Sequence, residues 1–170
     1  MVIRISGQAD VAAVVALVRA SYRGEQSRNG LSGEMNLVRG LRTDERQVGQ
    51  LISRPGVVIL LGEIDGTLVA CCQLEERHPT GYLGMLAVDP AYQGFGIGGR
   101  MVGEAERMAR AWKTAALRIL VLDRQRELAA WYERLGYSKT GERIPFPVEA
   151  PFSEPLVEGL HLETFVKPLA

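Results

Sequence analysis

The stretch "AVDPAYQGFGIGGRMV", residues 87–102, sets Gly94, Gly96, Gly98 and Gly99 between an apolar run and a helical pattern. Glycine loses the most backbone freedom on folding, so such a cluster costs stability unless the main chain requires it. Two readings follow: a tight strand-to-helix turn, or a loop that lets a ligand come very close to the backbone. The second carries a definite chemistry. The first N–H groups of a helix lack internal partners and bear partial positive charge, so a glycine-lined helix start suits an anion, above all a phosphate or pyrophosphate.

Two known phosphate motifs fit the loop poorly. A P-loop needs a lysine and a hydroxyl after its last glycine, and here Gly99 is followed by Arg100 and Met101. The dinucleotide pattern G-x-G-x-x-G matches Gly94, Gly96 and Gly99 in spacing. That pattern belongs inside a parallel βαβ unit, with an acid about 20 residues on. The strands before this loop read instead as hairpins, and the available acid, Asp123, lies well beyond that distance. Cys71 and Cys72 are adjacent, and no Cys/His spacing suggests zinc, so no metal is expected.

The elements that must hold the loop are legible around it. "VIRIS" alternates as a first strand, and "QADVAAVVALVRASY" carries a helical stripe at Val11, Val14, Val15, Leu17 and Val18. The polar "RGEQSRNGLSGEMNLVRG" reads as a long loop or broken helix. "TDERQVGQLISRP" reads as a short helix with Thr43 as its N-cap and Pro55 beyond its end. Two β-rich runs flank Asp65-Gly66, a hairpin pair, and "GYLGMLAV" adds a strand. After the loop, Met101, Ala105, Met108 and Trp112 share one helix face. "LRILVL" reads as a buried central strand, "RELAAWYERLGY" as a helix ended by Gly136, and "YSKTGERIPF" and "LHLETFVKPL" as two last strands flanking "PFPVEAPFSEP". The order β-α-α-β-β-β-α-β-α-β-β implies an α/β mixed sheet, mostly antiparallel, of six to seven strands with helices on both faces.

Composition bounds the partners. The 170 residues make one domain, 1–170, with 20 Lys+Arg against 20 Asp+Glu and zero net charge. That balance argues against a general binder of nucleic acid or anionic membrane, which shows a basic bias. The N-terminus "MVIRISGQAD" has no long apolar stretch, and nothing approaches the roughly 18 apolar residues of a membrane span. The expectation is a reduced, cytoplasmic protein in which the two cysteines are small strand residues.

"LAVDPAYQGFGIG" resembles motif A of the GNAT superfamily of N-acetyltransferases, Q/R-x-x-G-x-G/A, here Gln93-Gly94-Phe95-Gly96-Ile97-Gly98. Val88-Asp89-Pro90 and Tyr92-Gln93 are also typical of it. "AAWYERLGY" is similar to the family's motif B, with a βαβ unit between the two motifs as the family requires. The resemblance covers most of the chain, leaving out the polar segment around 22–42 and the tail after 143. It implies acetyl-CoA as co-substrate, with its pyrophosphate on the N–H groups of Gly94, Phe95, Gly96, Ile97, Gly98 and Gly99, aided by Arg100. The strand before the loop splays from its neighbour in this family, so Leu86, Ala87 and Val88 would pair with the pantetheine arm as an added strand does. Gln125 stands where the family has an asparagine that contacts that arm.

For the chemistry, the resemblance implies that the N–H of Leu86 or a neighbour stabilises the oxyanion. Tyr132 matches the tyrosine that protonates the leaving thiolate; helix spacing alone favours a core aromatic beside Trp131. The carry-over fails for the base. The matching positions are Tyr82 and Gly84, and Glu34, Glu75 and Glu76 are candidates by location only. The acceptor would lie between the first helix pair, the central strands and the last hairpin, where Tyr22, Arg23, Arg28, Glu34 and Arg42 stand. Arginine mixed with acid suits a small-molecule amine such as an amino acid; protein N-termini, polyamines and aminoglycosides stay open. A homodimer through the strand-rich tail is also implied. The rival reading is a CoA-binding sensor without catalysis, since the base is missing, and a nucleotide-phosphate binder stands third.

Overall fold

The computed structural model describes residues 1–31 and 33–170. Its elements run β1 (Val2–Ile5), α1 (Val11–Arg23), β2 (Val38–Arg39), α2 (Glu45–Ser53), β3 (Val57–Ile64), β4 (Thr67–Glu75), β5 (Thr80–Val88), α3 (Ile97–Ala111), β6 (Ala116–Leu122), α4 (Arg126–Arg134), β7 (Ser138–Pro145), β8 (Glu154–Pro155) and β9 (His161–Pro168). Seven strands form one sheet in the order β1-β3-β4-β5-β6-β9-β7. Its ladders are antiparallel apart from the parallel β5–β6 pair. The expected mixed sheet of six to seven strands is thus what forms, and no helix of the described residues is long and apolar enough to cross a membrane.

Strand alternation sorts the core into two layers. Val14, Val15, Leu17 and Val18 of α1 and Val48 of α2 pack on Ile59, Leu61, Cys71 and Ala87. On the opposite face Met101, Val102, Ala105 and Ala109 of α3 and Ala129 and Tyr132 of α4 pack on Leu60, Ala70, Cys72, Leu83 and Ile119. The adjacent cysteines therefore point to opposite cores. Burial pushes the Cys71 thiol up to about 12, and raises Cys72 as well, so both stay protonated thiols and fill space.

Three local expectations are corrected. The cap of α2 is Asp44, whose carboxylate accepts from the Gln47 N–H at 2.8 Å; Thr43 instead turns its hydroxyl to the Gln47 side chain. On α3 the buried stripe is Met101, Val102, Ala105, Glu106 and Ala109, with Met108 and Trp112 only half-buried at its margin. Glu106 is tolerated there because Lys167 of β9 donates to both its carboxylate oxygens at 2.8 Å. The polar segment after α1 forms a single-turn 3-10 helix, Glu25–Asn29, and then β2, which pairs with β8 of the proline-rich tail. The two stretches left without clear structure by the sequence thus bind each other, with Arg39 held to Glu154 across the pair.

Candidate active site

The site begins where β5 changes direction. The parallel ladder to β6 ends at Tyr82–Arg118. On the other edge, the register with β4 shifts between Cys71 and Gln73, and Met85 in the bulge adopts φ 49°. A bulge bends its strand and re-aims the following residues, so β5 leaves β6 and opens a gap. Beyond the bulge Asp89 N–H donates to Val69 C=O at 2.8 Å. Alternation along an antiparallel ladder then turns the peptide groups of Val88 and Leu86 away from β4 and into the gap. Their carbonyls are already engaged. Val88 C=O accepts from Ser21 Oγ at 2.9 Å and from Gln93 Nε2 at 3.0 Å, and Leu86 C=O accepts from the Tyr22 hydroxyl at 2.8 Å. What the edge offers an incoming polar chain is therefore N–H. Ala87 faces the other way, paired with Cys71 and buried against α1.

The glycine loop sits at the far end of this edge. Gly94 and Gly96 hold φ of 85° and 76°, in the left-handed region that disfavours other residues, and Gly96 caps α3 in that conformation. Among the described residues, a Cβ at Gly94, Gly96 or Gly99 would meet nothing within 4 Å, so none of their atoms uses the space above the loop. With Ile97, Gly98 and Tyr92, the loop walls a cavity of about 550 Å³, closed by Trp131 on one side and by Gly30 and Leu31 on the other. Phe95 is exposed, and Arg100 reaches back to the Met1 carbonyl at 3.2 Å rather than over the loop. The Gln93 side chain packs against Gly30, where a Cβ would stand 2.5 Å from its Oε1, and so positions the polar segment beside the loop.

A second cavity, about 280 Å³, fills the gap between β5 and β6 and meets the first at Leu86. Tyr132 of α4 forms part of its wall, and no protein hydrogen bond engages its hydroxyl among the described residues. The ring is fixed edge-on against Trp131 at 4.8 Å and Tyr137 at 5.6 Å. Burial raises its pKa well above the ordinary value, so it is a proton donor at neutral pH. Gln125 also lines the gap, its amide donating to Gly33 C=O at 3.3 Å.

The far wall holds Tyr22, Glu34, Arg42, Gln47, Glu149 and Phe152. Of the residues expected there, Arg23 lies behind the wall in a buried pair with Glu34, and Arg28 is outside, beside Glu25. Glu75 is buried among Arg54, Arg77 and Gln73, and Glu76 sits beside His78; neither lines this cavity. Gly84 is explained sterically, because a Cβ there would lie 2.5 Å from the Tyr82 hydroxyl. The phenol of Tyr82 thus occupies the room a longer side chain at 84 would need. Burial raises the Tyr82 pKa too, which makes it a poor base. The sequence placed the segment of Glu149 and Phe152 on the acceptor side, at the last hairpin, but singled out neither residue. Among the described residues no group of three His, Cys, Asp or Glu side chains is placed to hold a metal ion.

A family model described as the acetyltransferase (GNAT) family matches residues 28–137. No curated protein sequence matches the chain. Among solved structures, a ribosomal-protein-alanine N-acetyltransferase from Brucella melitensis is similar at TM-score 0.73 and 19% identity, over 99% of both chains. The Salmonella typhimurium protein yncA, solved with its cofactor acetyl-CoA, is similar at TM-score 0.71 and 18% identity, over 100% of this chain and 94% of that one. The ribosomal-protein-S18-alanine N-acetyltransferase from Escherichia coli is similar at TM-score 0.73 and 15% identity, over 99% and 94%. At these identities the structures speak for the fold. The family match itself spans the bulged strand, the glycine loop and the tyrosine helix, and by that match the chain belongs to the GNAT family of acetyltransferases.

Proposed function

We propose that the protein is an acetyl-CoA-dependent N-acetyltransferase that moves an acetyl group directly to a primary amine of a small-molecule acceptor. The observation that carries this reading is the junction at Leu86. One cavity ends in a glycine-lined helix start and the other in a polar wall, and this one peptide belongs to both. The loop fits a pyrophosphate: left-handed glycines with open space above them leave the N–H groups of Gly94 through Gly99 accessible. The Val88 N–H would hold the pantetheine arm, and Leu86 N–H would face the thioester carbonyl oxygen.

In the proposed step a neutral amine nitrogen attacks the thioester carbon, and the Leu86 N–H stabilises the oxyanion. The C–N bond forms and the C–S bond breaks. The Tyr132 hydroxyl gives its proton to the departing thiolate, and the tyrosinate is reprotonated as the new amide sheds its extra proton to water. A second reading, a CoA-binding module without turnover, draws on one observation: Tyr82 and Gly84 leave no carboxylate or imidazole at the expected base positions.

Calorimetry with acetyl-CoA, ATP and NAD separates these readings from a generic phosphate binder. Acetyl-CoA alone is expected to bind. Gly96→Val should abolish binding, since it adds about 1–2 kcal/mol of left-handed strain and puts carbons where the phosphate goes. Thiol release with an amine panel then follows, and Tyr132→Phe should lower kcat about 10²–10³-fold with acetyl-CoA affinity retained. Binding with no thiol release for any amine would leave the sensor reading standing and end the enzyme one.

A further inference from the structure

We propose that Arg42 is the anion subsite of the acceptor cavity, and that the amine acetylated here carries a carboxylate close to its amino group, as an amino acid does. This rests on the transferase reading and specifies its acceptor. Among the residues lining the cavity, Arg42 is the sole cation, against Glu34 and Glu149. Glu34 is committed to Arg23 in a buried pair. Glu149 is exposed and faces the Gln47 amide. No carboxylate of the described residues lies within 4.0 Å of the Arg42 guanidinium. Glu34 acts on Arg42 only from beyond contact distance and is itself held by Arg23; a guanidinium walled into protein with no carboxylate bonded to it is costly, and the contacting partner is best supplied by what binds there.

The surroundings hold Arg42 still. Its N–H donates to Phe152 C=O at 2.9 Å, and the next residue's carbonyl accepts from Arg19 Nε at 3.0 Å. Its own backbone is left-handed, φ 65°, a conformation kept by a non-glycine residue only where neighbours enforce it. The guanidinium lies 4.7 Å from the centre of the Tyr22 ring. Seated over an aromatic face and bonded to no carboxylate, a guanidinium with five N–H donors has some left for a planar, bidentate partner, the geometry of a carboxylate.

Position sets the size of the acceptor. The Tyr22 hydroxyl bonds the carbonyl of Leu86, so one phenol ring separates the charge from the peptide at which the two cavities meet. A compact amino acid spans that interval with its carboxylate on Arg42 and its amine at the Leu86 edge. The same charge repels polyamines and aminoglycosides, whose extra ammonium groups would face it, so Arg42 selects against them as well.

The test pairs each of a set of amino acids with its carboxamide and with its decarboxylated amine. Thiol release from acetyl-CoA gives kcat and KM. Ligand-observed NMR on the CoA-loaded protein gives binding whether or not turnover occurs. The expectation is a preference for the acid over its amide of about 10-fold or more, expressed in KM, the size of a charge-assisted bidentate contact. Arg42→Gln should bring the acid down to the level of its amide, and Arg42→Lys should keep part of the preference. A thermal melt and acetyl-CoA calorimetry on each variant confirm that fold and cofactor cleft persist. Equal use of acid and amide by the wild type, or an equal loss for both in Arg42→Gln, overturns the proposal while leaving the transferase standing. Failure to bind acetyl-CoA at all instead sinks the reading beneath it.

Discussion

At the scale of single residues, the two phenols beside the expected reacting centre stay neutral. Burial raises both Tyr132 and Tyr82, the phenols nearest the gap, and neither becomes a tyrosinate in the ordinary working range. No carboxylate holds the expected base position, because the Tyr82 ring fills the space beside Gly84. With Glu34 tied to Arg23 and Glu149 exposed on the far wall, the proposed step takes an amine that arrives already deprotonated or loses its proton to water. The sign of the pH dependence follows. Activity should rise about tenfold per pH unit below the acceptor's own amine pKa, and level off there. The neutral Tyr132 acid should impose no fall below pH 10, since its pKa lies well above that value in the folded protein. Acceptors with different amine pKa values should shift the rise in kcat/KM accordingly. A rise fixed at one pH for all acceptors would reveal a protein base and refute this account. Tyr132 shows the limit of residue-level reading: its helix spacing alone favours a core aromatic, and in the structure it packs as one against Trp131 and Tyr137 while also lining the gap, where the proposed acid would stand.

At the scale of elements, the glycine loop is only as good as the seat of the helix behind it. α3 carries Glu106 into the interior, 6% exposed, and Lys167 of β9 meets it there. Removing one member of a buried pair strands the other, at a cost of about 3–5 kcal/mol, whereas replacing both can be nearly neutral. Arg110 stands 3.5 Å from the same carboxylate and remains when Lys167 is removed, so Lys167→Met should cost less than a fully stranded charge, about 2–3 kcal/mol in urea unfolding, and Glu106→Gln with Lys167→Met should recover most of it. A Lys167→Met loss below about 1 kcal/mol would show that the pair is solvated in practice. Elements with strong local patterns were legible in the sequence: the α1 stripe, the hairpin at Asp65-Gly66 and the helix ended by Gly136 all form where expected. Elements fixed by distant contacts were not. Glu106 with Arg110 four positions on reads as a surface helix pair, because the Lys167 that meets it inside is 61 positions away. β2 and β8 are too short to show a period, and each exists only because the other is there.

At the scale of the whole molecule, the two least patterned segments are the ones that join the two cavities. Gly30 rests on Gln93 and Leu31 walls the glycine-loop cavity, while Glu34 and Arg42 wall the other. Gly33 C=O receives Gln125 from the gap side. The same segment is laced to the tail by the β2–β8 pair, by Arg39 to Glu154, and by the N–H groups of Leu41 and Arg42 to Pro151 and Phe152. This explains why half the site was readable and half was not. The glycines announce themselves because backbone geometry demands their type, and Tyr132 was found only through the motif that it completes. On the acceptor wall Tyr22, Glu34 and Arg42 were expected by location alone, while Glu149 and Phe152 are unremarkable in sequence and take their place only through the contacts of the tail. It also yields a prediction about coupling. A ligand in the glycine-loop cavity touches one end of a connected strap, and ordering that end should order the rest. Acetyl-CoA should slow amide hydrogen exchange in residues 33–43 and in 147–155, though the tail segment lines only the other cavity, and Arg39→Ala should weaken the effect in the tail while keeping it at the loop. Protection confined to residues 86–100 would mean that the cavities fill independently. In that case the strap is a fixed wall, and acceptor affinity should be the same with and without the cofactor bound.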